Sequence, residues 1–304
     1  GDGKLHIIAG DRYDWDVITH EYAHFVQEQY PGLSLSPGEA HSSLDNLRYS
    51  RTDLAALDAD RLAWGEGFAT WWSVDLQLDQ GLAGLGIQNV GDLLYSDNDD
   101  ADGITPGLSY SLESQVGRPS RGQDNELAVA RILHDLTDSS NDAADRDRVS
   151  IGFTELFTLL VDKVSSTLSD FWNALTGGPG TTNRQKIDDG AIFQAHNVSP
   201  VPLAPIYTAG SLIPRFAWSV PQGGAAPTYG KTLLNDFGVQ FFAGDDMHEI
   251  LSTSLLHDVA FWDPNPAEWE IISDTPGPIY WNVWGGTTTV DGYSTGHYWS
   301  DVLA

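Results

Sequence analysis

Cysteine is absent from the 304 residues of this chain, and its absence limits both the fold and the chemistry. Disulfide bonds cannot brace the fold, although a chain of this length can bury a core without them. Thiolates cannot serve as metal ligands, so any metal ion must be held by histidine, aspartate or glutamate. The absence does not distinguish a reducing compartment from an oxidising one.

Basic residues are also scarce, because 15 Lys+Arg oppose 43 Asp+Glu and only four lysines occur. The formal net charge of -28 repels nucleic acid and anionic membranes. We therefore expect no nucleic-acid partner. The excess of aspartate suits calcium binding or a salty extracellular medium, and it serves simple solubility equally well.

Long apolar runs are missing too. No stretch reaches the roughly 18 apolar residues that a membrane-spanning helix needs, so we expect no membrane span. The first residues, GDGKLHIIAGDRYDW, do not have the shape of a signal peptide. If the protein is secreted, its signal and any propeptide are absent from this chain.

Local patterns divide the chain into two predicted domains. A short strand in KLHIIAG and a series of helical patterns fill residues 1–198 and indicate a mainly α-helical (α+β) domain. The predicted helices cover DWDVITHEYAHFVQEQY, DADRLAWGEGFATWWSVDLQL, DNELAVARILHDL, GFTELFTLLVDKV, LSDFWNAL and RQKIDDGAIFQAHN. The prolines of VSPVPLAP are typical of a linker. Short alternating runs such as PRFAWSV, VQFFAG, WEIIS and IYWNVWG then predict an all-β sandwich over residues 199–304.

The stretch VITHEYAHFVQEQY contains the pattern His-Glu-x-x-His. On a helix, residues four apart share one face, so His20 and His24 can reach the same cation. Glu21 is then placed to act on water beside the metal rather than on the metal itself. The plain alternative is a pair of helical histidines satisfied by ordinary hydrogen bonds.

Glu66, in LAWGEGFATWW, is the best candidate for a third ligand. Catalytic zinc usually takes three protein ligands and leaves a fourth position open. The tryptophans and phenylalanine around Glu66 predict a buried helix, where an unpaired carboxylate is costly. Its flanking glycines would let the backbone approach the first helix.

The motif HEYAH, followed 42 residues after His24 by Gly-Glu-Gly-Phe-Ala, resembles the gluzincin zinc metallopeptidases, the thermolysin-like HExxH...E group. The segment NELAVARILHDLTDSSND and the β-rich tail are similar to secreted bacterial members with a C-terminal fibronectin-III-like domain. The resemblance implies a gluzincin-type catalytic domain over residues 1–198, with zinc on His20, His24 and Glu66 and with Glu21 as general base.

The chain departs from the gluzincin pattern at three places. Thr70 follows Glu66 by four residues, where gluzincins often have an aspartate that supports a ligand histidine; a hydroxyl accepts that hydrogen bond more weakly. His134 stands where an aromatic residue such as tryptophan is expected. Only 19 residues precede His20, whereas gluzincins carry an upstream subdomain whose edge strand holds substrate. The chain is therefore either a fragment or processed product, or an unusually short member.

Two further kinds of site are open in the sequence. The oxyanion of peptide hydrolysis needs a donor, by resemblance a tyrosine or histidine, and the candidates are Tyr110, which we favour, His134 and His41. Each has a structural role as its alternative. Calcium, a possible second cofactor, could be bound by Asn98, Asp100 and Asp102 in NDDADG, or by an acidic run that includes Asp138 and Asp142. Solvated loops explain these stretches equally well.

We therefore predict a secreted zinc endopeptidase, a hydrolase that acts on peptide or protein substrates and is monomeric. Two alternatives remain. The chain could be a zinc aminopeptidase, although no motif for capture of a free amine is visible. It could also be a non-catalytic binding or adhesion protein on a degenerate metallopeptidase scaffold, which the short upstream region and Thr70 favour.

Overall fold

The computed structural model describes residues 4–7, 10–30, 32–33, 40–97, 107–139, 148–208, 210–220, 234–257, 259–286 and 297–304. Helices and antiparallel strands both occur, so the predicted mixed α+β class is confirmed. Contacts divide the chain into two compact units: Gly1–Ser140 with Val149–Ala174, and Asn141–Arg148 with Leu175–Ala304. The division differs from the predicted domains 1–198 and 199–304 in that residues 141–148 and 175–198 group with the second unit.

The first unit is mainly helical. Its helices are α1 (Trp15–Gln29), α2 (Leu47–Ser50), α3 (Ala56–Asp79), α4 (Glu126–Thr137), α5 (Phe153–Asp162) and α6 (Leu168–Thr176). Short 3-10 helices lie at Asp11–Tyr13 and Leu82–Leu85. Strands β1 (Leu94–Asp97) and β2 (Leu108–Ser111) pair antiparallel. The predicted helices of this part of the chain are confirmed, whereas residues 4–7 of the predicted strand KLHIIAG have no strand structure.

The N-terminus of α1 is held by Asp14, whose carboxylate accepts hydrogen bonds from the backbone N–H groups of Asp16 and Val17 at 3.2 and 3.4 Å. A short polar side chain at this position satisfies donors that the helix itself cannot pair. Val17, Ala23 and Val26 turn one face of α1 into the core. Helix α1 packs against α3, and His20 and Gln27 are also buried.

Helix α3 is buried over most of its length, as the sequence predicts. Its tryptophans pack against aromatic side chains of α5 and α6: the rings of Trp72 and Phe157 are 4.7 Å apart, and those of Trp64 and Phe171 are 5.4 Å apart. Such a helix can be mistaken for a membrane span. Among the described residues, however, no helix is both long enough and apolar enough to cross a bilayer, as expected.

Gly67 lets α3 approach α4 closely. A Cβ atom at this position would lie 2.5 Å from the Val129 Cβ and 2.8 Å from the Glu126 carbonyl oxygen. These distances are too short for any side chain. The expectation that the glycines beside Glu66 serve the approach to the first helix is wrong for Gly67, because the close neighbour is α4.

The described residues of the second unit form two antiparallel sheets and two helices. Its elements are α7 (Asn183–Ala195), β3 (Val201–Pro202), β4 (Phe216–Ser219), β5 (Asp236–Ala243), β6 (His248–Ser252), β7 (Leu256–His257), β8 (Phe261–Trp262), α8 (Pro266–Asp274), β9 (Ile279–Gly286) and β10 (Tyr298–Trp299). One sheet has the order β10-β9-β5-β6 with β7 also on β5, and the other has the order β3-β4-β8. Aromatic side chains connect them, with the rings of Phe216 and Phe241 4.8 Å apart.

Two predictions for the tail are wrong. The run WEIIS lies in α8, so the tail is not all-β: Asn265 and Glu268 form a capping box and Pro266 occupies the first turn, which are strong helix-start signals. The linker VSPVPLAP contributes β3, which pairs with β4. Residues 175–198 join this unit because α7 packs on β10 and its Ile187 shares a buried cluster with Phe242 and Met247.

Candidate metal centre

The side chains of His20 and His24 meet that of Glu66 where α1 packs against α3. His20 Nε2 lies 3.3 Å from Glu66 Oε2, His24 Nε2 lies 3.1 Å from the same oxygen, and the two Nε2 atoms are 3.2 Å apart. The two histidines therefore lie on one face of α1, as their spacing predicts, and Glu66 is the carboxylate that contacts both of them. The three side chains form one cluster of potential metal-ligand atoms.

These three separations fit a tetrahedral metal ion. Two ligand atoms that each lie about 2.1 Å from a tetrahedral zinc ion are about 3.4 Å apart. The nitrogens and the oxygen are therefore already spaced as ligands of one ion would be. Two imidazoles and one carboxylate form a donor set that zinc accepts, whereas calcium prefers oxygen ligands alone.

The second nitrogen of each histidine is held by an acceptor. Thr70 Oγ1 donates to Glu126 Oε1 at 2.9 Å, so its lone pairs face His20 Nδ1 at 3.2 Å. Gln27 donates its amide N–H to the Gly65 carbonyl at 3.2 Å, which turns its Oε1 toward His24 Nδ1 at 2.9 Å. Acceptors at both Nδ1 atoms favour the tautomer that carries its proton on Nδ1 and leaves Nε2 to bind a cation. This is the tautomer that metal-ligating histidines need.

Electrostatics at the cluster favour a positive charge beside Glu66. Burial lowers the pKa of His24, but hydrogen bonding and charge attraction from Glu66 outweigh it and raise the pKa to about 9. Burial would raise the pKa of Glu66, yet its hydrogen bonds with His20 and His24 hold the pKa well below its usual range. The carboxylate is therefore ionised at neutral pH and attracts a proton or a cation to this position.

A cavity of about 310 Å³ opens beside the cluster. Its lining includes His20, Glu21, His41, Glu66 and Glu126. Glu21 is partly exposed. It borders the same cavity as His20, its neighbour on α1, and Glu66 on α3. A carboxylate that faces the cavity without joining the ligand cluster is suitably placed to exchange protons with a bound molecule.

Besides Gln27, the sequence analysis missed Glu126, a buried residue of this site. It is only 2% exposed, and it accepts hydrogen bonds from Thr70 at 2.9 Å and from Tyr110 at 3.4 Å. Its other oxygen lies 3.2 Å from His41 Nε2, which is itself 3.8 Å from Glu66 Oε2. An acidic residue at the first position of a strongly apolar helix, NELAVARILHDL, was the available signal. A buried carboxylate there implies partners.

The structure separates the three oxyanion candidates. His41 lies in the cavity wall, close to Glu66 and Glu126. Tyr110 is buried, stacks on Tyr95 at 5.3 Å and directs its hydroxyl at Glu126, so it is not part of the cavity lining. His134 is held by Asp75 at 2.6 Å and borders a different cavity. The structure therefore does not bring Tyr110 or His134 to the open side of the cluster.

The calcium candidates are only partly described. Asn98, Asp100, Asp102 and Asp142 lie outside the described residues, so those predictions stay predictions. Asp138 is described, and it groups with Glu113 and His134. Its neighbourhood therefore includes an imidazole, which calcium does not favour.

Comparison of the chain with protein-family models, with curated proteins and with solved structures finds no match. The resemblance to gluzincins therefore rests on the residues themselves. Those residues are the His-Glu-x-x-His pattern and the glutamate of the second helix, which the fold brings to within 3.3 Å of each other.

Proposed function

We propose that the chain is a zinc-dependent endopeptidase of the gluzincin type, which hydrolyses internal peptide bonds with water. The observation that carries the proposal is the cluster of His20, His24 and Glu66, with separations of 3.1 to 3.3 Å and with both Nδ1 atoms held by acceptors. Ordinary histidine–carboxylate pairs do not require two imidazoles that point their Nε2 atoms at each other. A shared cation explains that arrangement.

Zinc, when bound to these residues, supplies a Lewis acid that polarises the scissile carbonyl and makes water more acidic. Glu21 acts as general base: it takes a proton from the attacking water and delivers it to the leaving amine. Its place in the cavity wall beside the cluster, rather than within the cluster, leaves its carboxylate available for this transfer.

His41 is the donor that we assign to the developing oxyanion. It borders the same cavity as Glu21, and Glu126 contacts its Nε2 atom at 3.2 Å. The contact with the Glu126 carboxylate holds the imidazole at the cavity wall, where a ring N–H can donate to a bound carbonyl oxygen. Stabilisation of an oxyanion by such a donor contributes a large share of the catalysis of acyl transfer.

Glu126 also acts on the metal ligands through Thr70. The chain Glu126–Thr70–His20 replaces the aspartate that gluzincins often use to orient a ligand histidine. The Thr70 hydroxyl donates to the carboxylate and accepts from the ring, so one buried negative charge polarises both His20 and His41. A buried charge is costly without such partners, which supports a role for this group at the site.

The remaining features of the proposal concern the whole molecule. The helical first unit corresponds to a gluzincin-type catalytic domain, and the two sheets of the tail to a fibronectin-III-like sandwich that carries an added helix. The protein acts outside the cell on peptide or protein substrates, as a monomer. The high negative charge is compatible with that location.

Glu21→Gln tests the proposal. The variant should keep the zinc content of the wild type, since Glu21 is not a ligand, and should cleave an internally quenched peptide at least about 100-fold more slowly. Glu28→Gln is the matched control, because Glu28 lies on the same helix and is exposed; it should cleave at the wild-type rate.

Three outcomes overturn the proposal, and each points to a different function. Wild type that binds zinc but cleaves no peptide indicates the binding or adhesion protein. Cleavage of amino-acid anilides without cleavage of internal bonds indicates an aminopeptidase. A Glu21→Gln variant as active as the wild type excludes Glu21 as the general base.

A further inference from the structure

A second cluster of potential ligands lies elsewhere in the first unit. Glu113, His134 and Asp138 each offer one ligand atom, and these atoms lie within 4.8 Å of one another. The cluster borders a cavity of about 500 Å³, whose lining also includes Asp75 and Thr137. Two segments meet here. Glu113 follows β2, and His134 and Asp138 belong to the last turn of α4 and the residue after it.

The position of His134 is difficult to explain by hydrogen bonding alone. The side chain is 1% exposed, and its Nδ1 donates a hydrogen bond to the Asp75 carboxylate at 2.6 Å. Its Nε2 lies 3.3 Å from Glu113 Oε2, but not in hydrogen-bonding geometry, and within the described part of the chain this buried nitrogen has no hydrogen-bond partner. A buried polar atom without a partner is costly.

A metal ion would satisfy this nitrogen in a better geometry than the ion pair with Glu113 offers to an N–H group. The separation of 3.3 Å between Nε2 and Oε2 equals that between His20 and Glu66 in the first cluster. It is close to the roughly 3.4 Å expected for two ligand atoms on one tetrahedral ion. In a tetrahedral arrangement the ion does not lie on the line between Nε2 and Oε2 but to one side of it, so the Nε2 lone pair can bind the ion without pointing at Oε2.

We propose that Glu113, His134 and Asp138 form a second metal site, which binds a zinc-like divalent transition-metal ion. One imidazole and two carboxylates suit such an ion, whereas calcium prefers oxygen ligands alone. Asp75 supports the site by contacting Nδ1 of His134, the ring nitrogen that does not face the proposed ion. It fixes the His134 tautomer with one oxygen and accepts a hydrogen bond from Thr137 with the other at 2.5 Å. Carboxylate–histidine–metal arrangements of this kind are common at zinc sites.

The second site is structural rather than part of the first. Asp75 follows Glu66 by nine residues on α3, which corresponds to about 13 Å along a helix axis. Metal ions that act together in catalysis lie about 4 Å apart. An ion at the second site instead joins the segment after β2 to the end of α4, and it stabilises the helical unit by binding the folded state alone.

Metal stoichiometry tests this proposal. The whole chain, stripped by a chelator and reconstituted with Zn²⁺ alone, should hold two equivalents by elemental analysis and by titration calorimetry. Glu113→Gln and Asp138→Asn should each hold one equivalent and should lose the part of the zinc-induced rise in Tm that belongs to this site. Glu155→Gln, at an exposed position of α5, should hold two. Asp75→Asn should weaken the second equivalent by about 10- to 100-fold.

The outcome is independent of the proposed function, because Glu66→Gln removes the first equivalent and spares the second. Two equivalents in wild type with unchanged binding in Glu113→Gln and Asp138→Asn would overturn the proposal. A single equivalent that disappears in Glu66→Gln would do so as well, and His134 would then be a charged histidine paired with two carboxylates. Circular dichroism of each variant ensures that a loss of zinc is not a loss of fold.

Discussion

Thr70 donates a hydrogen bond to Glu126 at 2.9 Å between α3 and α4, and its oxygen lies 3.2 Å from His20 Nδ1. The hydroxyl therefore connects a buried carboxylate to a candidate metal ligand. The glutamate comes from α4, a helix that supplies no ligand to the cluster of His20, His24 and Glu66. Support for the ligand histidine thus depends on the packing of α3 against α4, and the close approach at Gly67 is part of the same interface.

Replacement of Thr70 by valine should weaken zinc binding at the first cluster by about 10- to 100-fold, because His20 loses its acceptor and Glu126 loses a donor. The shape of the side chain is nearly unchanged, so packing is preserved. Competition with a chromogenic chelator measures the affinity. Thr70→Ser keeps the hydroxyl and should bind zinc as the wild type does; equal weakening in both variants would mean that the methyl group matters and the hydrogen bonds do not.

Loss of the His41 side chain should lower kcat by about 100- to 1,000-fold and change KM less, since a donor to the oxyanion acts mainly in the transition state. The zinc content should stay that of the wild type. His41→Ala and the exposed control His248→Ala are compared on one quenched peptide.

Tyr110→Phe distinguishes the two oxyanion candidates. The Tyr110 hydroxyl is directed at Glu126 and is buried, so its removal should leave kcat within a few-fold of the wild type. A large fall in kcat for Tyr110→Phe, together with an active His41→Ala variant, would reverse our assignment and restore the preference that the sequence suggested.

Gly67→Ala should lower the free energy of unfolding by about 1–3 kcal/mol, because the added methyl group meets Val129 and the Glu126 backbone at the α3–α4 interface. Denaturation by urea measures the change. Gly84→Ala is the control: it lies in a short 3-10 helix with nothing within 4 Å of the added Cβ, and its effect should stay within about 0.5 kcal/mol. A neutral Gly67→Ala would show that the two helices can separate without cost.

Asp189 makes the stability of the second unit depend on pH. Burial, and then repulsion from Asp188, raises the pKa of Asp189 from 3.8 to about 7. The folded chain thus keeps the proton over a range in which the unfolded chain releases it. The free energy of unfolding therefore falls as pH rises from about 4 to about 7, by at most roughly 4 kcal/mol from this group, and changes no further above that range.

Asp189→Asn should remove this dependence. The variant should be more stable than the wild type at pH 8, by about 1–4 kcal/mol, and similar to it at pH 4. Urea denaturation at both pH values measures the two differences, with the exposed Asp274→Asn as control. A variant that is equally or less stable than the wild type at pH 8 would contradict the raised pKa.

The sequence by itself determined the local parts of this protein. The spacing of His20 and His24 already requires that they share a helix face, because 3.6 residues make one turn. The apolar periodicities predict the helices of the first unit, and the aromatic neighbours of Glu66 predict its burial. The absence of cysteine limits the donors, and the absence of long apolar runs agrees with the described helices. The tail is harder to predict, since WEIIS fits a strand pattern whereas the capping box of Asn265 and Glu268 begins a helix there.

Only the tertiary structure decided which distant residues join each cluster. Glu126 and His41 are 60 and 25 residues away from Glu66 in the sequence, and no local period relates them to it. The same packing places His134 between Asp75 and Glu113 and not in the cluster of His20, His24 and Glu66. Helix geometry acts over a few residues and can be read from spacing. Contacts between helices depend on how whole faces fit together, as at Gly67, and a single sequence does not specify that fit in any short pattern.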